Sequence, residues 1–125
     1  MDTLVANPTL LIIDDDKDLA SLCAKVLSSS FEIETCEDGQ KALKRLTSYT
    51  PDLIILDLNL PCISGAAILK QVRSDNRFSN TKVVILSADL ALTEERTLQK
   101  ADLVLYKPIS PYDLKQMCIL LSNDK

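Results

Sequence analysis

Four short apolar runs punctuate the chain, Leu10 to Ile13, Leu53 to Leu56, Val83 to Leu86 and Leu103 to Leu105. Each is too short for a helix and too continuous for a strand with one wet face, so each reads as a strand buried on both sides. Phe31 to Cys36 instead alternates, with Phe31, Ile33 and Thr35 on one face and Glu32 and Glu34 on the other, as in a half-exposed strand. Between these runs the apolar spacing changes to that of amphipathic helices. Leu19, Leu22, Cys23, Val26 and Leu27 form one stripe, with Asp16 or a neighbour as its cap. Ala42, Leu43 and Leu46 predict a helix over Gln40 to Ser48, stopped at Thr50-Pro51 because the residue before proline avoids helical angles. Ser64 caps a third helix with Ala67, Ile68 and Val72 inward, and Leu90 to Lys100 is a polar, weakly periodic fourth. The last helix opens on Ser110-Pro111-Tyr112-Asp113 and carries Leu114, Met117, Cys118 and Leu121 as its inner stripe.

Strand and helix therefore alternate five times, which predicts an α/β fold: a doubly wound, five-stranded parallel sheet with helices on both faces. The length of 125 residues suits a single domain over 1–125 with its core at about 9–121, the first eight residues and the SNDK tail being loose ends. No repeat or internal linker interrupts it, and neither a membrane-spanning run nor a signal-peptide layout is present.

Charge and composition narrow the chemistry. A net charge of −4 disfavours binding to nucleic acid, which rests on neutralising phosphates with Lys and Arg. The absence of histidine removes His-based triads, His metal ligands and a phosphohistidine carrier. Cys23, Cys36, Cys62 and Cys118 are widely separated, without the paired spacing of a zinc site, and read as reduced structural cysteines of a cytoplasmic protein.

In open α/β sheets the functional site lies beyond the carboxyl ends of the strands. Asp14, Asp15 and Asp16 follow the first strand, Asp57 the third, Ser87 the fourth and Lys107 the fifth. Clustered carboxylates repel unless a cation intervenes, and oxygen donors with no His or thiolate suit magnesium. Such an ion commonly takes one or two carboxylates together with phosphate oxygens and water, so the site invites a phosphoryl group. Asp57 is the best placed nucleophile, Asp14 and Asp15 the metal ligands, and Lys107 and Ser87 the donors to phosphoryl oxygens.

With these residues in place, the chain resembles the receiver domains of two-component response regulators, such as the single-domain chemotaxis regulator. The match lies in IIDDD at Ile12 to Asp16, LIILDLNLPCISG at Leu53 to Gly65, VVILSA at Val83 to Ala88 and YKPI at Tyr106 to Ile109. The resemblance runs from Thr9 to about Leu121, with a flavodoxin-like fold. It implies that Asp57 takes a phosphoryl group from a sensor histidine kinase or phosphotransfer protein. It implies Mg²⁺ (Mn²⁺ as substitute) on Asp14, Asp15, Asp57 and the backbone carbonyl of Asn59, with Ser87 and Lys107 on the phosphoryl group. A cis Lys107–Pro108 bond is also implied. The expected role is signalling to a downstream protein or fused domain rather than turnover of a substrate, apart from the domain's own phosphorylation by small donors and its dephosphorylation. No output domain is expected within these 125 residues, and neither nucleic acid nor membrane is an expected partner.

Singly, these residues have plainer readings. Asp14 to Asp16 could be a polar strand stop, Asp57 a loop acid, Ser87 a cap and Lys107 a solvated lysine. Their order and their common placement at strand ends are what the plainer readings do not predict. A haloacid-dehalogenase-like phosphatase would use Asp14 and Asp16, yet it needs a further acidic metal motif where only 18 residues follow Lys107. A pseudo-receiver binding module would keep the fold without the phosphorylation, against the complete acidic set. Two departures from the family pattern stand out. Val104 occupies the position three before Lys107 where an aromatic is frequent, and the segment from Ser87 to Lys107 is short.

Overall fold

The computed structural model describes residues 6–91 and 93–123. Of the loose ends expected at the first eight residues and the SNDK tail, residues 1–5 and 124–125 lie outside the described residues, while the Pro8 carbonyl accepts the Glu32 N–H at 2.9 Å and Ser122 belongs to the last helix. Five strands, β1 (Thr9–Ile13), β2 (Glu32–Cys36), β3 (Leu53–Leu56), β4 (Lys82–Ser87) and β5 (Leu103–Tyr106), form one parallel sheet in the order β2-β1-β3-β4-β5. The helices are α1 (Lys17–Leu27), α2 (Gly39–Leu46), α3 (Gly65–Arg73), α4 (Glu95–Leu98) and α5 (Pro111–Ser122). This is the doubly wound arrangement that the alternation predicts.

Period-two alternation along the central strands divides their side chains between two cores. Leu10, Ile12, Leu53, Ile55, Val84 and Leu86 pack with Ala20, Cys23 and Leu27 of α1 and with Leu114 and Cys118 of α5. Leu11, Ile13, Ile54, Leu56, Val83 and Ile85 pack on the opposite face with Ala42 and Leu46 of α2 and with Ile68, Leu69 and Val72 of α3. Burying each such Leu, Ile or Val stabilises the fold by about 1.5–3 kcal/mol, so the central strands are the most firmly held part of the chain.

Several helix details depart from the expected stripes. Leu22 and Met117 are exposed, as is Ala67, while Leu69 is buried. In α1 the small Ala20 shares the buried face with Cys23 and Leu27, and in α5 that face narrows to Leu114 and Cys118. Thr35 is exposed because β2 is an edge strand whose carboxyl end lines an open cleft with Lys17 and Ser21. The expected fourth helix contracts to Glu95–Leu98, with no buried residue and no side-chain cap on its N-terminus. Its far end is tied down by Arg73, which donates to the carbonyls of Lys100 (2.8 Å) and Thr81 (3.0 Å) and to the Asp102 carboxylate (2.8 Å).

Candidate functional site

The sheet ladder continues one residue beyond three strand ends, and this aims the site. The Asp14 N–H donates to the Cys36 carbonyl (3.1 Å), Asp57 N–H to Ile13 (3.0 Å) and Lys107 N–H to Ser87 (2.9 Å). Asp14 and Asp57, at the carboxyl ends of the adjacent β1 and β3, and Lys107, at the end of β5 beyond β4, are thereby held by backbone bonds rather than by flexible loops. The Lys107–Pro108 bond is cis, as the resemblance implied.

Gly65 sets the depth of the loop between β3 and α3. A Cβ on it would lie 2.3 Å from the Asp57 carbonyl oxygen and 2.6 Å from the Leu58 Cα, so only glycine lets α3 start this close to the site. Within the loop Cys62 adopts a left-handed φ of 65°, and Ser64 then caps α3 by accepting the Ala67 N–H at 3.1 Å.

Lys107 is the hub. Its Nζ donates to Asp14 Oδ2 at 3.0 Å and to Asp57 Oδ2 at 3.3 Å. The lysine side chain is 18% exposed, against 5% for Asp14 and 6% for Asp57. The remaining oxygen of each acid is also engaged: Asp14 Oδ1 accepts the Asp16 N–H and Asp57 Oδ1 the Asn59 N–H, both at 2.9 Å. Burial pushes the Asp57 carboxyl above the ordinary carboxylate range. The Asn59 N–H and the Lys107 ammonium pull it back down, and Asp14 pushes it up again. For Lys107 burial acts downward, but Asp14 and Asp57 outweigh it and the ammonium is held above its ordinary value.

Asp14, Asp15 and Asp57 can each offer an oxygen within 4.8 Å of the others, so the three could hold one metal ion. The donor set is all carboxylate, with Asp15 exposed, and fits a hard divalent cation that keeps waters. Asp16 stands apart from this group: its carboxylate caps α1 by accepting the Leu19 N–H at 3.1 Å. The dehalogenase-like assignment of Asp16 as a second catalytic acid therefore loses its residue.

Ser87 is fully buried at the end of β4. Its hydroxyl is engaged by Asn59, whose side-chain amide donates to Ser87 Oγ (2.6 Å) and to the Asp89 carbonyl (3.2 Å). Sequence reasoning used only the main chain of Asn59 and did not single out Asp89. The pairing spans 28 positions, and no local pattern announces it.

Of the cysteines expected to be structural, Cys23 and Cys118 are buried, Cys36 is half-buried and Cys62 is exposed. All four are free, and burial raises the thiols of Cys23 and Cys36 and pushes Cys118 up to about 12, leaving these three protonated near neutrality. None of the helices among the described residues is long and apolar enough to cross a membrane.

Comparison with known proteins agrees with this geometry. The family model described as the response regulator receiver domain matches residues 10–119. The transcriptional regulatory protein PrrA of Mycobacterium leprae is 42% identical over 90 residues, 70% of this chain and 37% of that protein. The sensor histidine kinase TmoS of Ectopseudomonas mendocina is 33% identical over 111 residues, 87% of this chain but 11% of the kinase. The chain thus spans only a minor part of either protein. Among solved structures, the response regulator TrrA of Thermotoga maritima, in complex with Mg²⁺ and BeF, is 29% identical with a TM-score of 0.80, covering 91% of this chain and 98% of that one. The family match over nearly the whole length, the strand order and the acids and lysine at the strand ends agree, and the chain belongs to the response regulator receiver domains of two-component signal transduction.

Proposed function

We propose that this domain accepts a phosphoryl group on Asp57 in a Mg²⁺-dependent reaction and uses the resulting acyl phosphate to switch a protein–protein surface. One observation carries the reading: Lys107 bridges two nearly buried carboxylates that, with Asp15, gather into a single oxygen site at adjacent strand ends. A structural role alone does not require a third acid at that edge or a buried serine beyond it. The Mg²⁺–BeF complex of the Thermotoga relative gives the same reading a precedent in another protein.

Asp14, Asp15, Asp57 and the backbone carbonyl of Asn59 would hold the metal, which when bound supplies positive charge against the phosphoryl oxygens. An Asp57 carboxylate oxygen attacks phosphorus, and the bond from phosphorus to the donor breaks. With a phosphohistidine donor the electron pair of the P–N bond returns to the imidazole nitrogen, which then takes up a proton. Lys107 turns its ammonium toward the transferred group, and the Ser87 hydroxyl donates to another phosphoryl oxygen. The donor class is a sensor histidine kinase or phosphotransfer protein in the cytoplasm, and the receiver of the signal is a protein target or fused domain.

The test is incubation with acetyl phosphate, or titration with beryllium fluoride, with and without Mg²⁺. The native chain should gain one phosphoryl group by intact mass only with metal, and Asp57→Asn should gain none. Equal uptake by Asp57→Asn, or uptake indifferent to Mg²⁺, overturns the assignment.

A further inference from the structure

We propose that the side chain of Asn59 is a latch: it holds Ser87, and with it the loop leading to α4, in the arrangement of the unphosphorylated domain. The proposal rests on the phosphoacceptor reading of Asp57 and adds a positioning residue to it.

The two halves of Asn59 do separate work. Its main-chain N–H is committed to Asp57 Oδ1 at 2.9 Å, which fixes the residue beside the phosphoacceptor. From there the side chain reaches across to β4 and donates to both Ser87 Oγ (2.6 Å) and the Asp89 carbonyl (3.2 Å). The orientation of this amide follows from its surroundings. A backbone carbonyl can only accept, so the end of Asn59 facing Asp89 must be the NH₂. The Ser87 hydroxyl is left to donate to the Asp89 carbonyl across 3.4 Å, which is long for an O–H···O bond. One asparagine therefore pins both the serine and the carbonyl two residues beyond it.

That arrangement opposes the role given to Ser87. To donate to a phosphoryl oxygen on Asp57, the buried hydroxyl must turn its hydrogen away from the Asp89 carbonyl, and the side-chain rotation that carries Oγ toward Asp57 takes it off the Asn59 amide. Ser87 then leaves the partner it shares with Asp89, and the loop is loosened along with it. Among the described residues the loop's other ties are local: Leu90 rests half buried against the core and its carbonyl accepts the Thr93 N–H at 3.0 Å. Asp89 closes a short turn by accepting the Ala91 N–H at 2.9 Å, and α4 has no buried residue or side-chain cap. A conformational equilibrium responds only to interactions that differ between its states, and the Asn59 bonds are present on one side only.

Beryllium fluoride with Mg²⁺ should be titrated into the native chain, Asn59→Ala, Ser87→Ala and the double variant. Asn59→Ala should tighten mimic binding by about two- to tenfold, the factor that one net intramolecular hydrogen bond contributes to an equilibrium. In the Ser87→Ala background the same substitution should give no gain, since the group it restrains is absent. Without any mimic, amides from Asp89 to Ala91 and in α4 should exchange faster in Asn59→Ala than in the native chain. Equal or weaker mimic binding by Asn59→Ala, or a gain that persists without Ser87, overturns the latch while leaving the phosphoacceptor reading intact. If the native chain binds no mimic, the phosphoacceptor reading fails instead. The mimic-free exchange then decides the latch alone, and unchanged protection refutes it.

Discussion

Replacing Lys107 with methionine separates the charge of this residue from its bulk. The ammonium faces Asp14 at 3.0 Å and Asp57 at 3.3 Å, and both carboxylates are almost completely buried. Removing one partner of a buried pair costs about 3–5 kcal/mol, because the charge left behind has neither water nor counter-ion. Two features reduce that here. The lysine keeps 18% of its side chain exposed, and one carboxyl can escape repulsion by taking a proton. Protonating a carboxyl of ordinary pKa at neutral pH costs roughly 4 kcal/mol, which caps the loss. The expected destabilisation at pH 7.5 without metal is therefore about 2–4 kcal/mol. With an unfolding entropy near 2.1 cal/mol/K per residue, that lowers Tm by about 8–15 °C for a chain of this size.

The pH dependence carries the sharper test. Asp57 lies above its ordinary range through burial, so its proton favours the folded chain and stability from this group grows as pH falls through its folded pKa. Without Lys107 one of the pulls that lower Asp57 is gone, so relief begins at a higher pH. The deficit of Lys107→Met relative to the native chain should shrink between pH 7.5 and about pH 5. Glu34, bonded by Arg45, and Glu37, held at about 2 by Lys41 and Lys17, act in the opposite sense and lose their contribution as pH falls. They are common to both chains and cancel in the difference. The raised pKa of Lys107 means its own contribution persists through neutrality and is lost only at alkaline pH. Mg²⁺ should narrow the gap as well, since a ligand at tenfold excess over its Kd stabilises the folded state by about 1.4 kcal/mol and binds the variant without a competing ammonium. Thermal melts of both chains in chelator, and then in Mg²⁺, decide the matter. A variant melting within about 2 °C of the native chain, or a deficit that widens on acidification, would refute the reasoning.

Gly65→Ala should lose about 3 kcal/mol or more by urea unfolding, because the new methyl would meet backbone atoms of Asp57 and Leu58 rather than side chains that can move aside. Stability within about 0.5 kcal/mol of the native chain would show that α3 need not start so close to the site. Val104→Ala should leave the beryllium fluoride response in the segment from Ser87 to Lys100 largely intact on amide-exchange maps. A short branched side chain with restricted rotamers offers little difference between two states, and Tyr106, on the same face of β5, is already 63% exposed. Loss of a large mimic-induced change in Val104→Ala, with mimic binding retained, would place the coupling in β5 instead.

Doubly buried strands make the architecture of this chain legible in its sequence: a run such as LIIL has no polar face, so helices must cover both sides of the sheet. The same logic places the acids, because the first polar residue after each run falls at a carboxyl edge, and parallel pairing brings those edges together. Helix burial is less legible. The stripe Leu19, Leu22, Cys23, Val26, Leu27 is a sound periodic pattern, yet Leu22 ends up half exposed and Ala20 buried. Periodicity identifies a face, but how α1 is rotated on the sheet depends on how closely α5 lies against it. The weak pattern after Leu90 contains the cause of the short α4. With Thr97 and Leu98 only half buried there, few apolar contacts stabilise further turns.

The bonds from Asn59 to Ser87 and Asp89 show where such reading ends, and the reason is physical rather than a want of motifs. Strand ends are placed by backbone pairing, which the apolar pattern encodes. An asparagine side chain crossing between two loops is placed only after both loops exist, by which of its atoms faces a carbonyl. In this chain the residues that would do the phosphoryl chemistry belong to the first kind, and the residue that would restrain it to the second. Substitutions at Asp57 or Lys107 should therefore test whether the site works. Substitution at Asn59 should change how readily it switches, with the surrounding sheet undisturbed.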